Sequence, residues 1–172
     1  MVNRIYITGP VGSGKSTLAR RLSEVYGFAC CELDGIVYES DAASSTGNRK
    51  RPEAERDALL YAVLSHEKWV VEDAGRACFE IAWRRADSII LLEAPVSVRV
   101  RRILLRWVRQ KLRIEQCGYT PNFTMLILMF HWTRNYDSGA DSVKERLRPY
   151  QSKLSVIRNK RDIETYVNKY IR

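Results

Sequence analysis

The run Gly9-Pro10-Val11-Gly12-Ser13-Gly14-Lys15-Ser16 constrains the fold more than any other stretch of the chain. It matches G-x-x-x-x-G-K-[ST] with no departure. Its flanks are those the motif requires. Ile5-Tyr6-Ile7 is a short apolar run that stops at Gly9, which predicts a buried first strand. Ser16 to Tyr26 sets Leu18, Leu22 and Val25 at helical spacing, and Gly27 supplies a stop. Glycines between a strand and a helix let the backbone curl until successive N–H groups point inward at phosphate oxygens. The helix N-terminus behind them adds partial positive charge. Gly9, Gly12, Ser13, Gly14 and Thr17 are the expected lining of this cradle. Lys15 carries a full charge to the β- and γ-phosphates, and the Ser16 hydroxyl is the expected magnesium ligand. The motif specifies a nucleotide; it does not choose a reaction.

Four further strands are expected, at Phe28–Leu33, Trp69–Val71, Ser88–Leu92 and Leu154–Ile157. Helices are expected from Pro52 to about His66, Pro95 to about Leu112, Pro121 to about Arg134, across residues 141–151, and from Asp162 to Tyr170. Residues 41–52 are polar and read as a surface loop. Strands that alternate with helices, and that are apolar throughout, indicate a parallel sheet covered on both faces. The expected fold class is α/β: the three-layer P-loop NTPase fold, with a five-stranded parallel sheet and helices on both faces. At 172 residues and 45% hydrophobic, without repeat or linker, the chain reads as one domain.

The net charge is +9, from 29 basic and 20 acidic residues. That excess favours nucleotides, nucleic acid or a membrane surface without selecting among them. Cys30, Cys31, Cys78 and Cys117 form no Cys-x-x-Cys pair, and there are two histidines, so buried thiols in a reducing cytosol are expected rather than a zinc site. Met1–Thr8 has no signal-peptide apolar run, and Met125–Phe130 is far too short to span a bilayer. A soluble cytoplasmic protein with no membrane partner is expected.

Two more patterns carry chemistry. Glu32-Leu33-Asp34 and Glu72-Asp73 lie at the carboxyl ends of expected strands, where ligands of parallel sheets sit. An acid there can hold a magnesium-bound water or orient an acceptor hydroxyl. Arg99, Arg102, Arg106, Arg109 and Arg113 alternate three- and four-residue spacings, which predicts one narrow helix face. Like charges so arranged suggest an anion: triphosphate, DNA or anionic lipid. Val100, Ile103, Leu104 and Trp107 are the expected apolar side, turned to the core, which disfavours membrane docking.

Together these residues resemble the adenylate-kinase branch of P-loop kinases. Glu72-Asp73-Ala74-Gly75-Arg76 falls where that branch carries Asp-Gly-Phe-Pro-Arg, with Asp73 and Gly75 as departures. The resemblance makes Glu72 the magnesium-water acid and Arg76 a grip on the acceptor. It adds a short helical lid, whose two nucleotide-contacting arginines match Arg102 and Arg106. It also gives Arg134 and Arg146, spaced one residue wider than in the family, the role of stabilising the transferring phosphoryl group. More closely, the whole chain resembles the DNA-topology-modulation (FlaR-related) proteins. The carrying residues are Gly12-Ser13-Gly14-Lys15, Glu32-Leu33-Asp34, Trp69-Val70-Val71-Glu72, Ala86-Asp87, Gln110-Lys111-Leu112 and Phe130-His131-Trp132. That name implies DNA as a partner.

The expected layout is a single domain over 1–172: core 1–33, 68–95 and 130–172, acceptor segment 34–67, lid 96–129. The expected function is phosphoryl transfer from ATP, with Mg2+, to a small acceptor. Lys15, Arg102, Arg134 and Arg146 are the catalytic candidates, Asp34 and Arg76 the acceptor-binding ones. Nucleoside, nucleoside monophosphate and small alcohol stay open as acceptors. The alternative is an ATP-binding nucleic-acid protein that modulates DNA topology.

Overall fold

The computed structural model describes residues 2–41, 43–44, 47–136 and 142–171. Along the chain, β1 (Arg4–Thr8) leads through the glycine turn into α1 (Lys15–Tyr26) and β2 (Ala29–Glu32). A short α2 (Leu33–Val37), the strands β3 (Tyr38–Ser40) and β4 (Asn48–Lys50), and α3 (Glu53–Leu64) follow. Next come β5 (Trp69–Asp73), a 3-10 turn at Ala77–Phe79, α4 (Glu80–Arg85) and β6 (Ser88–Leu92). The long α5 (Val96–Lys111) and α6 (Phe123–Asn135) precede α7 (Val143–Arg146), a 3-10 stretch at Arg148–Lys153, β7 (Leu154–Ile157) and α8 (Lys160–Tyr170).

Five strands make one sheet in the order β2-β5-β1-β6-β7, every pair parallel. Strand side chains alternate between faces, so each central strand feeds two cores. Ile5, Ile7, Val70, Ile90 and Leu92 pack with Leu18, Ala19 and Leu22 of α1 and Tyr166 and Val167 of α8. Tyr6, Trp69, Val71 and Ile89 pack the other way, with α2, α3, α4 and α7. Burial on both faces is why these strands are continuously apolar. The expected α/β P-loop fold and its five-stranded parallel sheet are therefore present. A third cluster, Ile103, Met125, Leu126 and Met129, joins α5 to α6 and reaches Val11 of the glycine turn.

Four local readings need correction. The stretch at 41–52 is not loop throughout: Asn48–Lys50 pairs antiparallel with Tyr38–Ser40. That pairing is held by ion pairs, Arg49 to Glu39 at 2.9 Å and Arg51 to Glu39 at 3.1 Å, so no apolar alternation advertises it. Residues 42, 45 and 46 of the stretch lie outside the described residues. The second strand ends at Glu32, and Leu33 and Asp34 begin α2. Residues 142–153 form α7 and a separate 3-10 stretch, not one helix, while 137–141 lie outside the described residues. The last helix starts at Lys160, because Asn159 and Asp162 close a reciprocal capping box there. No helix among the described residues is long and apolar enough to cross a membrane.

Candidate active site

Gly9, Gly12 and Gly14 all take positive φ, of 151°, 78° and 104°. At Gly12 a side chain is excluded twice: by the left-handed backbone, and by the Arg99 carbonyl oxygen, which a Cβ would approach to 2.8 Å. The turn is closed by the Ser13 N–H donating to the Pro10 carbonyl at 3.2 Å. Gly14 precedes α1 and offers no side-chain cap, so the first-turn N–H groups face the concavity of the turn. Lys15 Nζ folds back over the loop to the Pro10 carbonyl, 3.3 Å away. Thr17 is exposed on the first turn of α1. The Ser13 and Thr8 hydroxyls are buried and have no hydrogen-bond partner among the described residues.

Ser16 Oγ donates to Glu72 Oε1 at 3.0 Å. Glu72 is almost wholly buried at the end of β5. Burial pushes its carboxyl pKa up, while the nearby Lys15 charge and the Ser16 hydrogen bond pull it back in part. Asp73, one residue on, points to the opposite face of the sheet, as strand geometry dictates. Its buried carboxylate accepts from the Gly75 N–H at 2.7 Å, the Arg76 N–H at 2.5 Å and the Tyr6 hydroxyl at 3.3 Å, and pairs with the Arg76 guanidinium. The other Arg76 nitrogen reaches Asp34 Oδ1 at 2.5 Å. Burial disfavours the Arg76 charge, yet Asp73 and Asp34 together raise its pKa. The two neighbouring acids thus separate: Glu72 stands against the cradle, and Asp73 fixes Arg76 toward Asp34.

Gly75, at φ 94°, brings α7 onto this corner; a Cβ would lie 2.6 Å from a Val143 methyl. Arg146 of α7 has its guanidinium 5.6 Å over the Trp83 ring, and its Nε is buried without a hydrogen-bond partner among the described residues. Arg102 spans the mouth of the cradle, donating to the carbonyls of Gly12 at 3.2 Å and Ser13 at 2.8 Å. Thr133 of α6 ties to the Val11 carbonyl at 3.4 Å.

The five-arginine face does not hold together. Arg99 is buried and donates to the Thr133 carbonyl at 3.2 Å. Arg106 pairs with Glu115 at 3.1 Å. Arg109 is exposed, and Arg113 lies past the helix end at φ 57°. Arg134 is exposed on α6 next to Thr133. Asp73 was singled out with Glu72 at the strand end, but its part in fixing Arg76 was not. The tie of Thr133 to the cradle escaped the sequence reading, because it crosses 122 positions of chain.

A glycine cradle between the central strand and its helix, on a sheet of this order, defines the class: a P-loop nucleotide-binding protein. A family model described as an AAA domain matches residues 5–120, and the chain belongs to that family. It is 35% identical to a cytidylate kinase of Aeropyrum pernix over 109 residues, 58% of this chain and 62% of that protein. It is 28% identical to a shikimate kinase of Geobacter metallireducens over 127 residues, 68% of this chain and 70% of that one. To the chloroplastic shikimate kinase 2 of Oryza sativa subsp. japonica it is 26% identical over 150 residues, 80% of this chain but 49% of the rice protein. The chain thus spans about half the length of the rice relative and 62% of the Aeropyrum one. Solved structures share the fold. A sugar kinase from Janibacter sp. superposes with a TM-score of 0.55 at 14% identity, over 98% of this chain and 94% of that one. A shikimate kinase from Bacteroides thetaiotaomicron gives 0.52 at 15%, over 98% and 96%.

Proposed function

We propose that the chain is a kinase that transfers the γ-phosphoryl group of ATP to a small acceptor bearing a hydroxyl or phosphate oxygen. One observation carries the reading. Two polar sites adjoin at the strand ends: the cradle with Ser16–Glu72, and, one residue along β5, the Asp73–Arg76–Asp34 cluster. A phosphoryl donor in the first and an acceptor against the second would be neighbours. The cytidylate and shikimate kinases among its relatives support the same chemistry. Nucleoside, nucleoside monophosphate and small alcohol all suit the second site.

In this reading the cradle N–H groups and Lys15 hold the β- and γ-phosphates. The Ser16 hydroxyl and Glu72 carboxylate are hard oxygen donors that fit Mg2+, and no set of three or more His, Cys, Asp or Glu among the described residues forms a closed metal cage. The remaining ligands would then be phosphate oxygens and water. Mg2+ bound there would offset charge on the phosphates. Asp34 and Arg76 orient the acceptor. The γ-phosphorus–oxygen bond to ADP breaks as a bond to the acceptor oxygen forms, and a hydroxyl acceptor yields its proton to Asp34. In the same reading Arg102 and Arg146 stabilise the transferring charge, with Arg134 and Arg106 as further cations on the α5–α6 pair. The cysteines, expected to be buried, are free with Cys30 and Cys78 exposed and Cys31 and Cys117 partly so, and thiols left free at a surface suit a reducing, cytoplasmic setting.

The DNA-topology reading needs a continuous phosphate track, but Arg99 is buried, Arg102 turns to the cradle, Arg106 is paired, and only Arg109 and Arg113 are left exposed along it. Labelled ATP offered with a panel of nucleosides, nucleoside monophosphates and sugar alcohols tests the kinase reading. Transfer to at least one acceptor is expected, falling about a hundredfold or more in Lys15→Ala. Release of free phosphate alone, or undiminished transfer in that variant, overturns it.

A further inference from the structure

The lid helices pack on each other through Ile103, Met125, Leu126 and Met129, yet they leave a second apolar face outside. The side of α5 that carries Arg99 and Arg102 faces the glycine turn. Leu104, Leu105 and Val108 of α5 and Leu112 just beyond it point outward, the last 64% exposed, and Phe123 and Ile127 of α6 continue the surface at 65% and 55%. Phe123 meets Trp107 edge-on at 6.4 Å, which joins the faces of the two helices. This is not an open lid awaiting its own core. Arg102 and Thr133 already touch the turn, and Asn48 of β4 donates to the Gly118 carbonyl in the α5–α6 connection at 3.2 Å. The apolar face is the outer face of a closed arrangement, and chains that stay monomeric in water seldom expose so much of one.

The charge around it selects the occupant. Arg101 and Arg109 flank the leucines, and Lys111 lies 5.7 Å over the Trp107 ring. None of the three makes an ion pair among the described residues. Between Glu93 and Asp137 the only acid is Glu115, which is paired with Arg106. A second copy docked by the same face would set these cations against their own equivalents. Nucleic acid would use the cations and leave the leucines in water. An anionic lipid surface takes both: leucines and Phe123 enter the acyl boundary while guanidinium and ammonium groups meet lipid phosphates. We propose that the outer face of α5 and α6 docks on an anionic membrane surface.

Flotation with vesicles of phosphatidylglycerol and phosphatidylcholine in equal parts tests this. The protein is expected to float with them and at least about tenfold less with phosphatidylcholine alone. The Leu105→Ser, Val108→Ser double variant should lose about tenfold or more of the binding. Arg101→Gln with Arg109→Gln should lose a similar part, while both pairs keep the wild-type melting temperature, since all four side chains are exposed. Trp107, half-buried and edge-on to Phe123, should shift its emission to the blue on anionic vesicles, whereas Trp69 and Trp83 are buried already. Three results overturn the proposal. One is no flotation with anionic vesicles, or flotation unchanged in the leucine–valine variant. The second is a dimer in lipid-free sedimentation that this variant dissolves. The third is duplex DNA binding that competes with the vesicles and ignores the apolar substitutions. Phosphoryl transfer by the variants in vesicle-free solution should equal wild type, so the outcome is independent of the kinase reading.

Discussion

Glu72 and Asp73 show how far one residue of displacement carries in a strand. Both are acids at the same strand end, and the pleat sends them to different work. Glu72 is buried beside Ser16, with its carboxyl pKa raised by burial. A raised folded-state pKa means that ionised Glu72 opposes folding, so its contribution to stability is fully present below the ordinary glutamate range and is lost as pH rises through the raised value. Metal binding needs the opposite, ionised form. The Mg2+ dependence of nucleotide affinity should therefore weaken on acidification at a pH above the ordinary glutamate range. Titration calorimetry across pH should show this for the wild type and show no such step for Glu72→Gln. Most of the cradle was legible at this scale, because a glycine turn between strand and helix has few other uses. Which of the two acids served the cradle depended on register, and register is a property of pairing with β1, not of the residues themselves.

At the scale of elements, the five core strands announced themselves because burial on both faces leaves continuous apolar runs. The elements that escaped were short or polar. The β3–β4 pair rests on charge pairs, and α2 and α4 have five and six residues, too few to display a helical period. On α5 the expected apolar side is divided. Ile103 is buried against α6 and Trp107 packs beside it, as the spacing predicts, whereas Leu104, expected in the core, is 42% exposed. The helix also lies over the glycine turn, and Arg99 and Arg102 turn inward there. Helix α8 shows the converse, where local chemistry settles the boundary. Asn159 accepts from the Arg161 and Asp162 N–H groups, and Asp162 returns bonds to the Arg158 and Asn159 N–H groups. Asn159→Ala should cost about 1 kcal/mol, read as a lower midpoint in urea unfolding at unchanged slope.

For the whole molecule, the cradle is a seam between parts distant in sequence: the central strand, α1, the end of β5, and the α5–α6 pair. A ligand that closes this seam should stabilise the entire fold. At a hundredfold its dissociation constant, Mg-ATP should add about 2.7 kcal/mol, equivalent to a melting-temperature rise of roughly 5–10 °C for a chain of this size. Scanning calorimetry should show that rise in the wild type and lose it in Lys15→Ala.

Gly12 meets the backbone of Arg99 across a gap that would not admit one methyl group. Half of the mould for those eight residues is therefore cast by a helix almost ninety positions downstream. Grafted onto another scaffold as a cassette, Gly9–Ser16 would bring its amide donors without the wall that keeps them aimed. Such a graft would inherit the signature while forfeiting the grip, unless the upstream end of α5 travelled with it.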